Sequence, residues 1–164
     1  MRANAAEHNL QSRHFLVVED DANDAIQIRR IFNSLEPECT VSVCRNTSEA
    51  RAYLKGAGMY ADRITYPLPD TVISDIRLPE ESGIDLIRWL RSEEHFAEIP
   101  VVVLTGAATP EEMQATKELG VDLILRKPAK SANFKAMLQG VADNFCRSSS
   151  PEPVIKALRA YVLG

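Results

Sequence analysis

Several residue types that mark common chemistries are scarce in this sequence. Its 164 residues include three cysteines, Cys39, Cys44 and Cys146. Their odd count and lack of metal-type spacing read as reduced thiols, not a disulfide framework or zinc site. The three histidines, His8, His14 and His95, are scattered and give no case for a catalytic or phospho-accepting histidine. No G-x-G-x-x-G or Walker pattern follows the first apolar run, which argues against a nucleotide-phosphate loop. A basic excess is also missing: the net charge is −4, whereas a nucleic-acid surface is usually basic. No apolar run approaches the roughly 20 residues that span a bilayer. The opening "MRANAAEHNLQSRH" lacks the apolar core of a secretory signal. The expectation is a cytoplasmic protein that binds neither nucleic acid nor membrane.

What is present is the composition of an ordinary globular chain, with 45% apolar and 26% charged residues. The length suits one domain with some excess at its ends. Residues 1–13 read as an N-terminal tail, 14–146 as the domain, and 147–164 as a linker with a C-terminal helical extension. Short apolar runs alternate with amphipathic stretches: "FLVV" (15–18), "TVSV" (40–43), "TVIS" (71–74), "VVVL" (101–104) and "LIL" (123–125). Most are continuous, as expected of strands covered on both faces in a parallel sheet. Helical patterns lie between them. One is marked by Ile26, Ile28, Ile31, Phe32 and Leu35, another by Ile84, Leu86, Ile87 and Leu90. Pro110 opens a further one, with acids in its first turn and Gly120 past its end. Five β-α units in sequence predict a doubly wound α/β fold with right-handed crossovers. Trp89, beside Leu86 and Leu90 at helical spacing, reads as core.

In open α/β sheets, sites form outside the carboxyl ends of the strands. The residues there are Glu19 and Asp20, then Asp75, Thr105 with Gly106, and Lys127 with Pro128. Acids that converge need a cation, and hard oxygen ligands favour Mg2+. A carboxylate nucleophile with Lys and Thr donors suits formation of an aspartyl-phosphate. Asp21, next to the pair, is expected to be the N-cap of the first helix.

The segments "VVED", "ISDIRLPEESG", "VLTGA" and "LRKP", in that order, resemble the receiver domains of two-component response regulators. The resemblance covers about Phe15 to Phe145. It implies a flavodoxin-like five-stranded parallel sheet of order 2-1-3-4-5 with five helices, here followed by the short helical extension. It also implies residue roles. Asp75 is the phosphoacceptor. Glu19, Asp20, Asp75 and the Arg77 carbonyl hold Mg2+. Lys127 pairs with Asp75 and then with the phosphoryl group, and Thr105 is the hydroxyl that moves inward as the switch. Gly106 leaves room for the phosphoryl group. One departure is Ile124, three residues before the lysine, where an aromatic switch partner is common.

The implied function is that of a single-domain response regulator phosphorylated on Asp75 by a histidine kinase or phosphotransfer protein. It is not an enzyme beyond self-phosphorylation and self-dephosphorylation. The "YPLPD" approach to the third strand resembles regulators paired with phytochrome-type kinases. The alternative is a phosphorylation-independent adaptor, although such proteins tend to lose a site acid or the lysine. An aspartate-nucleophile phosphatase would need an acid where Arg77 stands. Finally, "VIKALRAYVL" carries Ile155, Leu158 and Val162 at helical spacing on a helix too short to stand alone. The expectation is a homodimer in which each tail docks on the partner.

Overall fold

The computed structural model describes residues 13–35, 39–147 and 158–163. Five strands, β1 (Arg13–Val18), β2 (Cys39–Cys44), β3 (Thr71–Ser74), β4 (Val101–Thr105) and β5 (Leu123–Arg126), form one sheet. All pair in parallel, in the order β2-β1-β3-β4-β5. The helices are α1 (Ala22–Asn33), α2 (Thr47–Lys55), α3 (Gly83–Ser92), α4 (Pro110–Glu118) and α5 (Ser131–Arg147), with a short 3-10 turn at Gly58–Ala61. The strand order and the five helices are those anticipated from the sequence.

The continuous apolar runs are explained by burial on both faces. Every residue of β3 and β4 is buried. Alternate residues of β1 feed two cores. Phe15 and Val17 join Ile28, Phe32, Phe134, Met137 and Val141, under α1 and α5. Leu16 and Val18 join Tyr53, Leu54, Leu86, Ile87 and Leu90, under α2 and α3. Strand β2, at the edge, is half-solvated along its middle. Ile26, counted in the apolar stripe of α1, is exposed instead.

Capping sets the helix starts. Asp21 accepts from the Asp24 N–H as the N-cap of α1, which is the role expected of it. Ser82 with Asp85, and Thr109 with Glu112, form capping boxes for α3 and α4. Pro110 sits at the start of α4, and Gly120 beyond its end takes a positive φ of 67°. Trp89 is half-buried and packs against the core under α2 and α3, as expected. Its ring lies against Phe96 and beneath the Arg51 and Lys55 cations.

The long segment before β3 is ordered by its own residues. Arg63 donates to the carbonyls of Tyr53, Leu54 and Tyr66, which ties the loop to the end of α2. Tyr53, Tyr60 and Tyr66 form an aromatic cluster beneath it.

The tail differs from its expectation. Residues 154–157 and most of the linker lie outside the described residues. From Leu158 the chain makes a turn and then a single antiparallel bridge, Val162 to Leu125, in place of a continued helix. The Arg126 N–H donates to the Tyr161 carbonyl and the Leu163 N–H to the Ile124 carbonyl. Leu158 is buried in the space left by Gly140 of α5. These residues cover the outer edge of β5 in their own chain, where docking on a partner was expected. The physical reason is that an open strand edge offers unpaired N–H and C=O groups, and an adjacent core pocket accepts Leu158.

Candidate functional site

Four strands deliver the expected polar residues to one edge. Glu19 follows β1 and extends its ladder by donating its N–H to the Cys44 carbonyl at 2.9 Å. Asp75 follows β3, and its N–H donates to the Val18 carbonyl. Lys127 follows β5 and donates its N–H to the Thr105 carbonyl at the end of β4. Backbone pairing thus fixes Asp75, Thr105 and Lys127 relative to one another before any side chain is considered.

The Lys127 ammonium lies at the centre. It donates to Glu19 Oε2 at 2.5 Å, Asp75 Oδ2 at 2.8 Å and Asp24 Oδ2 at 3.1 Å. Glu19 is 2% exposed and Asp75 8% exposed. Burial works against the Lys127 charge, yet Asp75 and Glu19 together carry its pKa above the ordinary lysine value. Burial pushes the Glu19 carboxyl up, and the Lys127 hydrogen bond pulls against that rise. The second oxygen of Glu19 accepts from the Asp21 N–H, and the second oxygen of Asp75 accepts from the Arg77 N–H.

Thr105 is fully buried, and its hydroxyl donates to the Ala107 carbonyl at 2.9 Å. It is held at the site without being engaged by Asp75. Beyond it, a Cβ built on Gly106 would meet nothing within 4 Å, so packing does not demand glycine there. Gly83 is the opposite case. A Cβ there would sit 1.9 Å from the Asp75 carbonyl oxygen. The Gly83 N–H also donates to the Ile76 carbonyl, which closes the loop behind Asp75.

Asp20 stands apart. It is exposed, and among the described residues its carboxylate has no hydrogen bond or ion pair. Its backbone carbonyl accepts from Arg45. The Arg77 side chain turns to α4 and pairs with Glu112. The structure thus brings Glu19, Asp75 and Lys127 together and leaves Asp20 and the Arg77 guanidinium outside their contacts. In this geometry no three acidic, histidine or cysteine side chains among the described residues are grouped to hold an ion. The donor set nonetheless fits a hard divalent cation. Two of its carboxylates, Glu19 and Asp75, share the Lys127 ammonium, and Asp20, beside Glu19 in the chain, is unengaged.

One residue was missed from the sequence. Asp24, in the first turn of α1, reaches Lys127 from the helix. An acid in a first turn is already accounted for by the helix dipole, so no separate signal marked it. Ile124 lies buried in the core under α2 and α3, with Leu163 of the tail packed against the same cluster.

A family model described as the response regulator receiver domain matches residues 15–139. Response regulator Rcp1 of Synechocystis sp. is 26% identical over 126 residues, which cover 77% of this chain and 84% of that protein. The solved Mn(2+)-bound form of Rcp1 superposes with a TM-score of 0.75 at 24% identity, covering 84% of this chain and 97% of that one. The phosphorylated cyanobacterial phytochrome response regulator RcpA gives 0.77 at 24% identity, covering 85% and 97%. The bacteriophytochrome response regulator RtBRR gives 0.66 at 27% identity, covering 91% and 90%.

Proposed function

This chain belongs to the response regulator receiver domain family, and from that premise we propose that Asp75 accepts a phosphoryl group from the phosphohistidine of a sensor kinase or phosphotransfer protein. The observation that carries the reading is the buried Asp75 carboxylate held by the Lys127 ammonium at 2.8 Å, with Thr105 anchored beside it. One Asp75 oxygen forms a bond to phosphorus as the P–N bond of phosphohistidine breaks. Lys127 moves its hydrogen bond from the Asp75 oxygen to the phosphoryl oxygens. Thr105 gives up the Ala107 carbonyl and turns its hydroxyl to the new group. That exchange is the switch, and Ile124 takes part by packing instead of by ring rotation.

Asp20, Glu19, Asp75 and the Arg77 carbonyl would hold Mg2+. When bound, the ion supplies charge neutralisation at the phosphoryl oxygens. The Mn(2+)-bound form of Rcp1 supports a divalent site in this family. The likeness to RtBRR supports a phytochrome-type kinase as the phosphoryl source, and such a partnership suits a cytoplasmic protein. Among the described residues no helix is long and apolar enough to cross a membrane. A phosphorylation-independent adaptor is disfavoured by the complete Asp75, Lys127 and Thr105 set. A homodimer built on exchanged tails loses much of its driving force, since Leu158 is already covered in its own chain.

The test is incubation with Mg2+ and acetyl phosphate. A base-labile adduct is expected on Asp75 and should vanish in Asp75→Asn. Labelling of the Asp75→Asn protein on another side chain would overturn the assignment.

A further inference from the structure

A lysine ammonium has three hydrogens to donate. In this site all three are taken, and each goes to a different carboxylate: Glu19, Asp75 and Asp24. Two of these acceptors have other duties in the proposed reaction. Asp75 receives the phosphoryl group, and Glu19 belongs to the metal-binding set. Asp24 has neither duty. Its backbone is fixed as well, because its N–H is capped by Asp21 Oδ1 at 2.9 Å.

A second link lies one turn along the same helix. Gln27 of α1 donates to the Ser131 hydroxyl at the start of α5, four residues beyond Lys127. Residues 24 and 27 of α1 therefore meet residues 127 and 131 in two rungs. The segment that carries Lys127 is tied to α1 by Asp24 on the side of the site and by Gln27 farther out.

From this arrangement we infer that Asp24 is a positioning residue for phosphoryl transfer, resting on the proposed role of Asp75. It holds the Lys127 ammonium against Asp75 when Glu19 is drawn to a metal ion. It touches neither phosphorus nor the metal. Its action is to keep a flexible four-carbon side chain aimed at the oxygen that develops charge. Without it, the ammonium has one fixed acceptor fewer and samples positions away from Asp75. Asp24 is half-exposed, at 35% for its side chain, so the effect is moderate.

The experiment compares the wild-type chain with Asp24→Asn and Asp24→Glu. Phosphorylation is driven by acetyl phosphate with Mg2+, and the Lys127 ammonium is followed by NMR of lysine-labelled protein, assigned with Lys127→Arg. Asp24→Asn should lower the maximal phosphorylation rate by about three- to tenfold, a tenfold change being about 1.4 kcal/mol of barrier. The half-saturating acetyl phosphate concentration should stay unchanged, and the Lys127 resonance should move. Asp24→Glu keeps the charge and should restore most of the rate and the resonance. A wild-type rate in Asp24→Asn, or a loss that glutamate does not restore while the Lys127 resonance stays in place, would overturn the role. If the wild-type chain takes no phosphate on Asp75, the proposed function fails instead. The Lys127 resonance then decides alone: movement in Asp24→Asn with recovery in Asp24→Glu upholds the clasp, and an unmoved resonance overturns it.

Discussion

Arg77 gives its guanidinium to Glu112 of α4, with nitrogen–oxygen distances of 2.8 and 3.0 Å. The residue two positions after Asp75 is thereby turned toward a helix and not toward the acids of the site. Glu112 has a second role, since it also accepts from the Thr109 N–H at the start of α4.

That double duty gives an asymmetric prediction. The Arg77 side chain is 59% exposed, so Arg77→Ala should cost no more than about 1 kcal/mol in urea unfolding. Glu112→Ala removes the same pair and half of the capping box, and should cost more, about 1–2 kcal/mol. A larger loss for Arg77→Ala would show that its guanidinium has a partner of greater weight than Glu112.

Asp20 and Asp21 should separate metal binding from stability. Asp20→Asn is expected to weaken Mg2+ or Mn2+ binding in calorimetry far more than Asp21→Asn, because Asp20 is the unengaged carboxylate. Asp21→Ala should instead lower folding stability by about 1 kcal/mol through loss of the α1 cap. Metal affinity should fall toward acid pH as the carboxylates protonate. Equal effects on metal binding at the two positions would show the ligand to be misassigned.

Gly83 and Gly106 should respond in opposite ways. Gly83→Ala places a methyl group 1.9 Å from the Asp75 carbonyl oxygen, so the loop must shift. A loss of about 1–3 kcal/mol or more is expected in urea unfolding. Gly106→Ala meets open space and should fold as the wild type does, while slowing phosphorylation if the phosphoryl group occupies that space. Matching stability losses at the two positions would contradict the packing described.

His14 should give the protein a pH response in mild acid. Its ring nitrogens meet the Thr40 hydroxyl at 2.7 Å and the Tyr53 hydroxyl at 2.8 Å. Burial holds its pKa below the ordinary 6.5, with Asp70 opposing that shift. The unfolded chain therefore takes up the proton first. The stability tied to the neutral ring is complete above about pH 6.5 and is lost as pH falls toward the lower folded value. The drop in Tm between about pH 7.5 and about pH 5.5 should be smaller in His14→Gln than in the wild type. An unchanged drop would remove His14 as the source.

The sheet was legible because its strands are buried on both sides, which makes "VVVL" and "FLVV" continuous instead of alternating. Asp75, Thr105 and Lys127 were legible because each stands at the carboxyl end of such a run. Asp24 was not, since a helix-start acid has a local explanation and its reach to Lys127 depends on how α1 lies across the sheet. The partner of Arg77 was hidden for a related reason: its nearest acids along the chain after Asp75, Glu80 and Glu81, are not the ones it uses. In the tail, the spacing of Leu158 and Val162 suited a helix. The pocket over Gly140 and the bare edge of β5 exist only in the folded chain, and they decided the outcome.

Helix α4 buries a single residue, Thr116, among its nine. Its attachment therefore rests on that one buried residue, on the half-buried Ala115 packed against the core under α2 and α3, and on the exposed Arg77–Glu112 pair. Opening such an element costs only a fraction of global unfolding, as hydrogen exchange measures it. The amides of α4 should lose protection by local fluctuation while those of β1 and β3 wait for the whole sheet to come apart. The helix that follows Thr105 is thus the part of the molecule that can be re-seated without disturbing the scaffold that holds Asp75.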